Sequence, residues 1–172
     1  MEAASFETLI ATVDGNRGAL TLNRPEKLNP LSTLTLHEIE QAARWFDEHH
    51  DLKVVVVSGA GRAFSAGSDL GSFGGAASME DRQVGWRMGR ALDEMRAVTV
   101  ARIQGWCVGG GVVVAAGCDL RIAADTARFS IPEIDLGIPL AWGGIPRLVR
   151  EIGPALTKEL VMTCRPFDAH EA

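Results

Sequence analysis

Apolar and polar positions change their period several times along the chain, and each change predicts an element. Leu9-Ile10-Ala11-Thr12-Val13 and Ala19-Leu20-Thr21-Leu22 flank Asp14-Gly15-Asn16-Arg17-Gly18, which predicts a strand–turn–strand hairpin. Asn29-Pro30 reads as a turn, and Ser32 or Thr33 caps the helix that follows. That helix places Leu36, Ile39, Ala43 and Phe46 on one stripe, with Glu38, Glu40 and Arg44 elsewhere. Residues 53–58, Lys-Val-Val-Val-Val-Ser, form a continuous β-branched run, the pattern of a strand buried on both faces. A glycine-rich loop over 59–78 follows. Val84, Met88, Leu92 and Met95 then recur at helical spacing, predicting a second amphipathic helix over 80–95.

The second half repeats the alternation. Residues 98–103 read as a short strand, 105–111 as a glycine turn, and 112–116 as an apolar helix start. Residues 120–124 and 127–130 read as two more strands, and the chain from Leu148 to about Thr163 as mostly helix, broken at Gly153-Pro154. Residues 166–172 read as the start of a further helix, cut short, with Asp168 as its cap. Strand–helix alternation implies one α/β domain over 1–172, with a largely parallel sheet and right-handed crossovers.

Composition narrows the function classes. The 172 residues are 47% hydrophobic, and 17 basic against 22 acidic residues give a net charge of −5, which argues against a general nucleic-acid binder. Three cysteines (Cys107, Cys118, Cys164) form no CxxC pair, and the four histidines show no ligand spacing, so neither disulfides nor a metal site are expected. The first residues lack a basic and an apolar region, and no run reaches the roughly 20 apolar residues of a span. A cytoplasmic protein without membrane or metal partners is expected.

The familiar phosphate and nucleophile motifs are missing: there is no GxxxxGK[ST], no GxGxxG and no GxSxG. Two glycine-rich turns remain, Arg62-Ala63-Phe64-Ser65-Ala66-Gly67-Ser68-Asp69-Leu70 and Gly105-Trp106-Cys107-Val108-Gly109-Gly110-Gly111, each following a strand. Small residues at Ala66, Gly67 and Ser68 let a ligand approach the backbone, and the second turn leads into a helix whose free N–H groups favour negative charge. Such turns suit an oxyanion hole, whose donors are worth roughly 3–4 kcal/mol each.

With these residues in hand, the chain resembles the crotonase (enoyl-CoA hydratase/isomerase) superfamily from about Phe6 to Ala172. The resemblance is carried by Leu22-Asn23-Arg24-Pro25-Glu26-Lys27-Leu28-Asn29-Pro30-Leu31, by the two glycine turns, by Cys118-Asp119-Leu120-Arg121-Ile122-Ala123, and by Phe129-Ser130-Ile131-Pro132-Glu133-Ile134-Asp135-Leu136-Gly137 with Gly143-Gly144 and Arg147-Leu148 behind it. It implies a crotonase-like (ClpP/crotonase) α/β fold of repeated β-β-α units, and a coenzyme A thioester as substrate with no further cofactor. The backbone N–H groups of Ser68 and Gly110 would be the oxyanion donors for a thioester enolate. Lys27, Leu28, Ala66, Asp69, Leu70, Gly109 and Trp142 fall where the family holds CoA or walls the acyl pocket. Glu133 matches the second of the two hydratase glutamates, and burial beside an acyl chain would raise its pKa. Asp135 matches no catalytic position and reads as a loop tether.

Two departures shape the expectation. The first hydratase glutamate is replaced by Val113, and Ala141 stands where dienoyl-CoA isomerases and dehalogenases carry an aspartate. Adding water needs one group to hold the water and another to deliver the proton. Moving a double bond needs one base. Enoyl-CoA isomerisation in fatty-acid metabolism is therefore the expected reaction; the alternatives are a one-glutamate hydratase and a non-catalytic acyl-CoA binder. The chain also stops short of the family's C-terminal helices, which cap the acyl pocket and help build a homotrimer or hexamer, so that part reads as truncated.

Overall fold

A computed structural model describes residues 1–72 and 79–172; part of the predicted glycine-rich loop, 73–78, lies outside the described residues. Two sheets wind around a common core. The larger begins with β1 (Glu2–Ser5), β2 (Leu9–Asp14) and β3 (Arg17–Leu22), which pair antiparallel in turn. The chain then passes through α1 (Thr33–Glu48) into β4 (Val54–Gly59), through α2 (Met79–Asp93) into β5 (Val98–Ile103), and through β6 (Trp106–Val108) and α3 (Gly110–Ala116) into β7 (Leu120–Ala123). β3, β4, β5 and β7 are parallel neighbours, giving the order β1-β2-β3-β4-β5-β7.

The smaller sheet holds β6, β8 (Arg128–Ser130) and β9 (Phe167–Asp168), with α4 (Gly144–Thr163) running between the last two. Isolated parallel bridges Leu31–Ser68 and Ser65–Cys107 extend the layer backwards to the first turn of the spiral. Each turn thus gives one strand to the large sheet and a shorter one to the small sheet, then a helix.

The local reasons are visible in the sequence. Ser32 caps α1, its Oγ accepting from Thr35 N at 3.2 Å. The stripe predicted for α1 is buried against α2 and the sheet, with Leu36, Ile39 and Phe46 all at the core. Gly15 takes φ +59° in the tight loop joining β2 to β3. Gly153 interrupts α4 at φ +77°, as Gly153-Pro154 predicted.

Three expectations need correction, and one strand was not foreseen. The β4 valines are not buried on both faces: Val55 and Val57 are buried in the core, whereas Val54 and Val56 on the opposite face are only half-buried. Residues 105–111 contain a strand, β6, as well as a turn. β1, which composition did not suggest, is held by the antiparallel ladder to β2. Finally, 166–172 do not start a helix. Phe167 pairs with Phe129 and stacks on its ring at 5.2 Å, so a strand forms where a partner edge and an aromatic contact are both on offer. Asp168 still caps, accepting from Glu171 N at 2.9 Å, but it caps a turn.

Candidate active site

The two glycine turns lie side by side in the small sheet. Ser65 N donates to Trp106 O at 3.1 Å and Val108 N to Ser65 O at 3.0 Å, zipping the first turn to β6. Gly67 has φ +89°, and a Cβ there would lie 2.8 Å from Val108 O and 3.7 Å from Gly110 N. Glycine is required by both conformation and space.

The direction of the two candidate donors follows from peptide planarity. Gly67 O accepts from Leu31 N at 2.8 Å, so the Ser68 N–H across the same trans peptide points the opposite way, away from Leu31. Gly109 O accepts from Val113 N at 3.2 Å inside the helix turn, so the Gly110 N–H points out of the N-terminus of α3. Among the described residues neither N–H has a protein acceptor. Both residues line one pocket of about 260 Å³, walled also by Leu70, Val113, Glu133, Leu140 and Trp142.

Glu133 supplies the pocket's charge. It sits in the loop after β8, where Leu136 N and Ile138 N donate to its carbonyl. The carboxyl lies over Gly109, at φ +49°, and a Cβ on that glycine would come within 2.1 Å of Oε1. The residue is only 5% exposed, and Oε2 has no hydrogen-bond partner. Burial raises its pKa above the ordinary carboxylate value, a backbone hydrogen bond opposing in part. The other pocket side chains are apolar apart from the Ser68 hydroxyl. Val113 is buried and brings only methyl groups to the pocket. Cys107 and Cys118 are poor nucleophiles: burial pushes Cys107 up strongly and Cys118 up to about 12.

Of the other sequence-predicted residues, Lys27, Leu28, Ala66, Asp69 and Gly109 do not line this pocket. Leu28 O accepts from Ala66 N at 2.8 Å, joining the Lys27-Leu28 and Ala66-Leu70 segments as the motif order implied, with Lys27 exposed. Asp69 pairs with Arg24 Nη1 at 2.9 Å. Ala141 stands in the pocket wall beside Trp142, and Asp135 is exposed in its loop. Among the described residues no cluster of acidic, His or Cys side chains is placed to hold a metal, and no helix is long and apolar enough to cross a membrane.

Two organising residues were missed. Buried Asn29 donates from Nδ2 to the carbonyls of Ala60, Ala63 and Phe64 at 2.9, 3.0 and 3.2 Å, while its Oδ1 accepts from Arg24 N. Ser65 Oγ donates to Asn29 O at 2.8 Å and accepts from Gly67 N at 3.1 Å. Together they set the loop that presents Ser68. Asn29-Pro30 signalled only a turn, although Asn tolerates the left-handed φ of +54° found there.

Comparison with known proteins decides the family. The pattern of the enoyl-CoA hydratase/isomerase family matches residues 15–172. The chain belongs to this family. A Mycobacterium bovis member assigned as an enoyl-CoA hydratase is 38% identical over 172 residues, covering 98% of this chain. This chain spans 66% of that relative's length. Among solved crotonase-fold structures, an assigned enoyl-CoA hydratase/isomerase (crotonase) of Legionella pneumophila superposes with a TM-score of 0.91 at 32% identity, over 98% of this chain and 67% of its own. A Thermobifida fusca member, assigned as an enoyl-CoA hydratase and solved in complex with acetoacetyl-CoA, gives 0.84 at 29% identity over 96% and 69%. The crotonase fold is thus the fold of this chain.

Proposed function

We propose that this chain binds acyl-CoA thioesters and shuttles a proton at their enolates, with enoyl-CoA isomerisation as the reaction. One observation carries the reading: a buried carboxyl with a free oxygen shares an apolar pocket with two unpaired backbone N–H groups. The thioester oxygen of a 3-enoyl-CoA would accept from Ser68 N–H and Gly110 N–H. Glu133 would remove a C2 proton, the C–H electron pair forming the C1–C2 double bond as the carbonyl π pair moves to the oxygen, which gives a dienolate. The carboxylic acid, after exchanging its proton with solvent, would protonate C4 as the C2–C3 double bond and the carbonyl re-form. Desolvation suits the group to this work, because a raised pKa brings the carboxyl closer to neutral pH. Lys27 and Leu28, with the Ala66-Leu70 segment, would hold the CoA portion. No cofactor beyond the substrate's own CoA is needed, and assembly into a trimer or hexamer belongs to the same proposal.

A second reading is favoured by the relatives' names, which are hydratases. Water addition would need a second group to position the nucleophile, and Val113 offers none. The two readings separate in D₂O. Mass spectrometry of 3-enoyl-CoA should show bond migration with deuterium uptake, lost in Glu133→Gln. Hydration of 2-enoyl-CoA at a comparable rate would replace isomerase by hydratase. Binding without either reaction would leave an acyl-CoA binder.

A further inference from the structure

One of the side chains that wall the pocket, Trp142, is held in a strained backbone position. Trp142 has φ +57°, a conformation that bulky residues rarely adopt. Its indole is 8% exposed and lies in a slot between two helices. On one side is Gly85 of α2, where a Cβ would fall 1.8 Å from the indole Cδ1. On the other is Gly110 of α3, where a Cβ would fall 2.2 Å from Cζ3. Both positions tolerate only glycine while the indole is there. The ring therefore ends beside the residue whose N–H is the proposed oxyanion donor, and it closes space that two bare helix backbones would leave open.

Resting on the acyl-CoA reading above, we propose that Trp142 is the residue that limits acyl-chain length, restricting the site to short and medium chains. The pocket holds about 260 Å³. At about 30 Å³ per small heavy group this accommodates roughly eight or nine atoms. The thioester carbonyl, sulfur and C2 take about four of these, leaving room for roughly five more carbons. Chains of about four to seven carbons fit, and longer ones meet the indole.

The test uses saturated acyl-CoAs, which bind without completing a reaction: butyryl-, hexanoyl- and dodecanoyl-CoA, measured by calorimetry. In the wild type, affinity should rise from butyryl to hexanoyl and then stop or fall at dodecanoyl. Trp142→Ala should raise the dodecanoyl-to-butyryl affinity ratio by tens of fold, since each newly buried methylene is worth about fourfold. Trp142→Phe, which keeps a ring in the slot, should give an intermediate ratio and guards against loss of folding in the alanine variant. Gly85→Ala added to Trp142→Ala should be tolerated and should lower the ratio again, because its methyl refills the emptied slot. An unchanged ratio in variants that melt cooperatively would overturn the role of Trp142 while leaving acyl-CoA binding intact. Failure of the wild type to bind any of the three would overturn both.

Discussion

Replacing Glu133 by Gln separates what the buried carboxyl does for chemistry from what it does to stability. The side chain is nearly isosteric but neutral and cannot take up a proton. General acid–base catalysis contributes typically 10²–10⁴-fold, so deuterium exchange and bond migration should fall by that factor, about 3–5 kcal/mol in the barrier. Stability should move the other way. Oε2 is buried without a partner, and an unsatisfied buried polar group costs about 1–3 kcal/mol, more when charged. Part of that cost disappears with the charge, so a gain of about 1 kcal/mol is expected at pH 8, or about 2–4 °C in Tm for a chain of this size. The pH dependence fixes the sign. Below the pKa of the unfolded carboxyl, about 4.3, both states of the wild type hold the proton. Above it the unfolded chain ionises freely, while the folded carboxyl resists until pH passes its raised pKa. Wild-type stability relative to the variant therefore falls through that window and then levels off. Urea denaturation of both proteins from pH 4 to 8 measures it. Parallel curves, with no divergence as pH rises, would refute a desolvated Glu133 whatever happened to activity.

Gly109→Ala should abolish exchange, because its Cβ would meet Glu133 Oε1 at 2.1 Å, and should cost roughly 1–3 kcal/mol for a side chain at φ +49°; a folded, active variant would show that the carboxyl is placed otherwise. Asn29→Ala leaves the carbonyls of Ala60, Ala63 and Phe64 without their Nδ2 donor, and denaturant titration should show a loss of about 2–4 kcal/mol. The Arg147 side chain is 9% exposed, with Nε unpartnered and its two terminal nitrogens on Asp93 at 2.6 and 2.8 Å. Asp93→Ala should therefore lower Tm more than Arg147→Met, since the first strands a buried cation and the second removes it; the reverse order would mean the pair itself, not the burial of Arg147, sets the energy.

Much of the site was readable because its key positions are glycines in fixed order. Gly67 and Gly109 stand where the backbone takes positive φ and another chain segment approaches closely, and few other residues meet both demands. Glu133 stood out through its place in the motif, and its lack of a partner appeared only in three dimensions. Asn29 looked like a turn residue and proved to hold three carbonyls of a distant loop. Residues 166–172 had helical character but joined an edge strand that local pattern cannot reveal.

Short-range chemistry accounts for what the chain alone determined: the hairpin at Gly15, the Ser32 cap, the stripe of α1, the break at Gly153 and the two glycine turns. Each depends on neighbours a few residues away, whose conformational preferences are written locally. The tertiary structure decided which face of β4 is covered, that Trp142 lies between Gly85 and Gly110, and that Glu133 faces apolar walls with one oxygen free. Burial, desolvation and steric exclusion are properties of surfaces brought together from far apart in the chain, so they exist only once the two sheets have wound around their core.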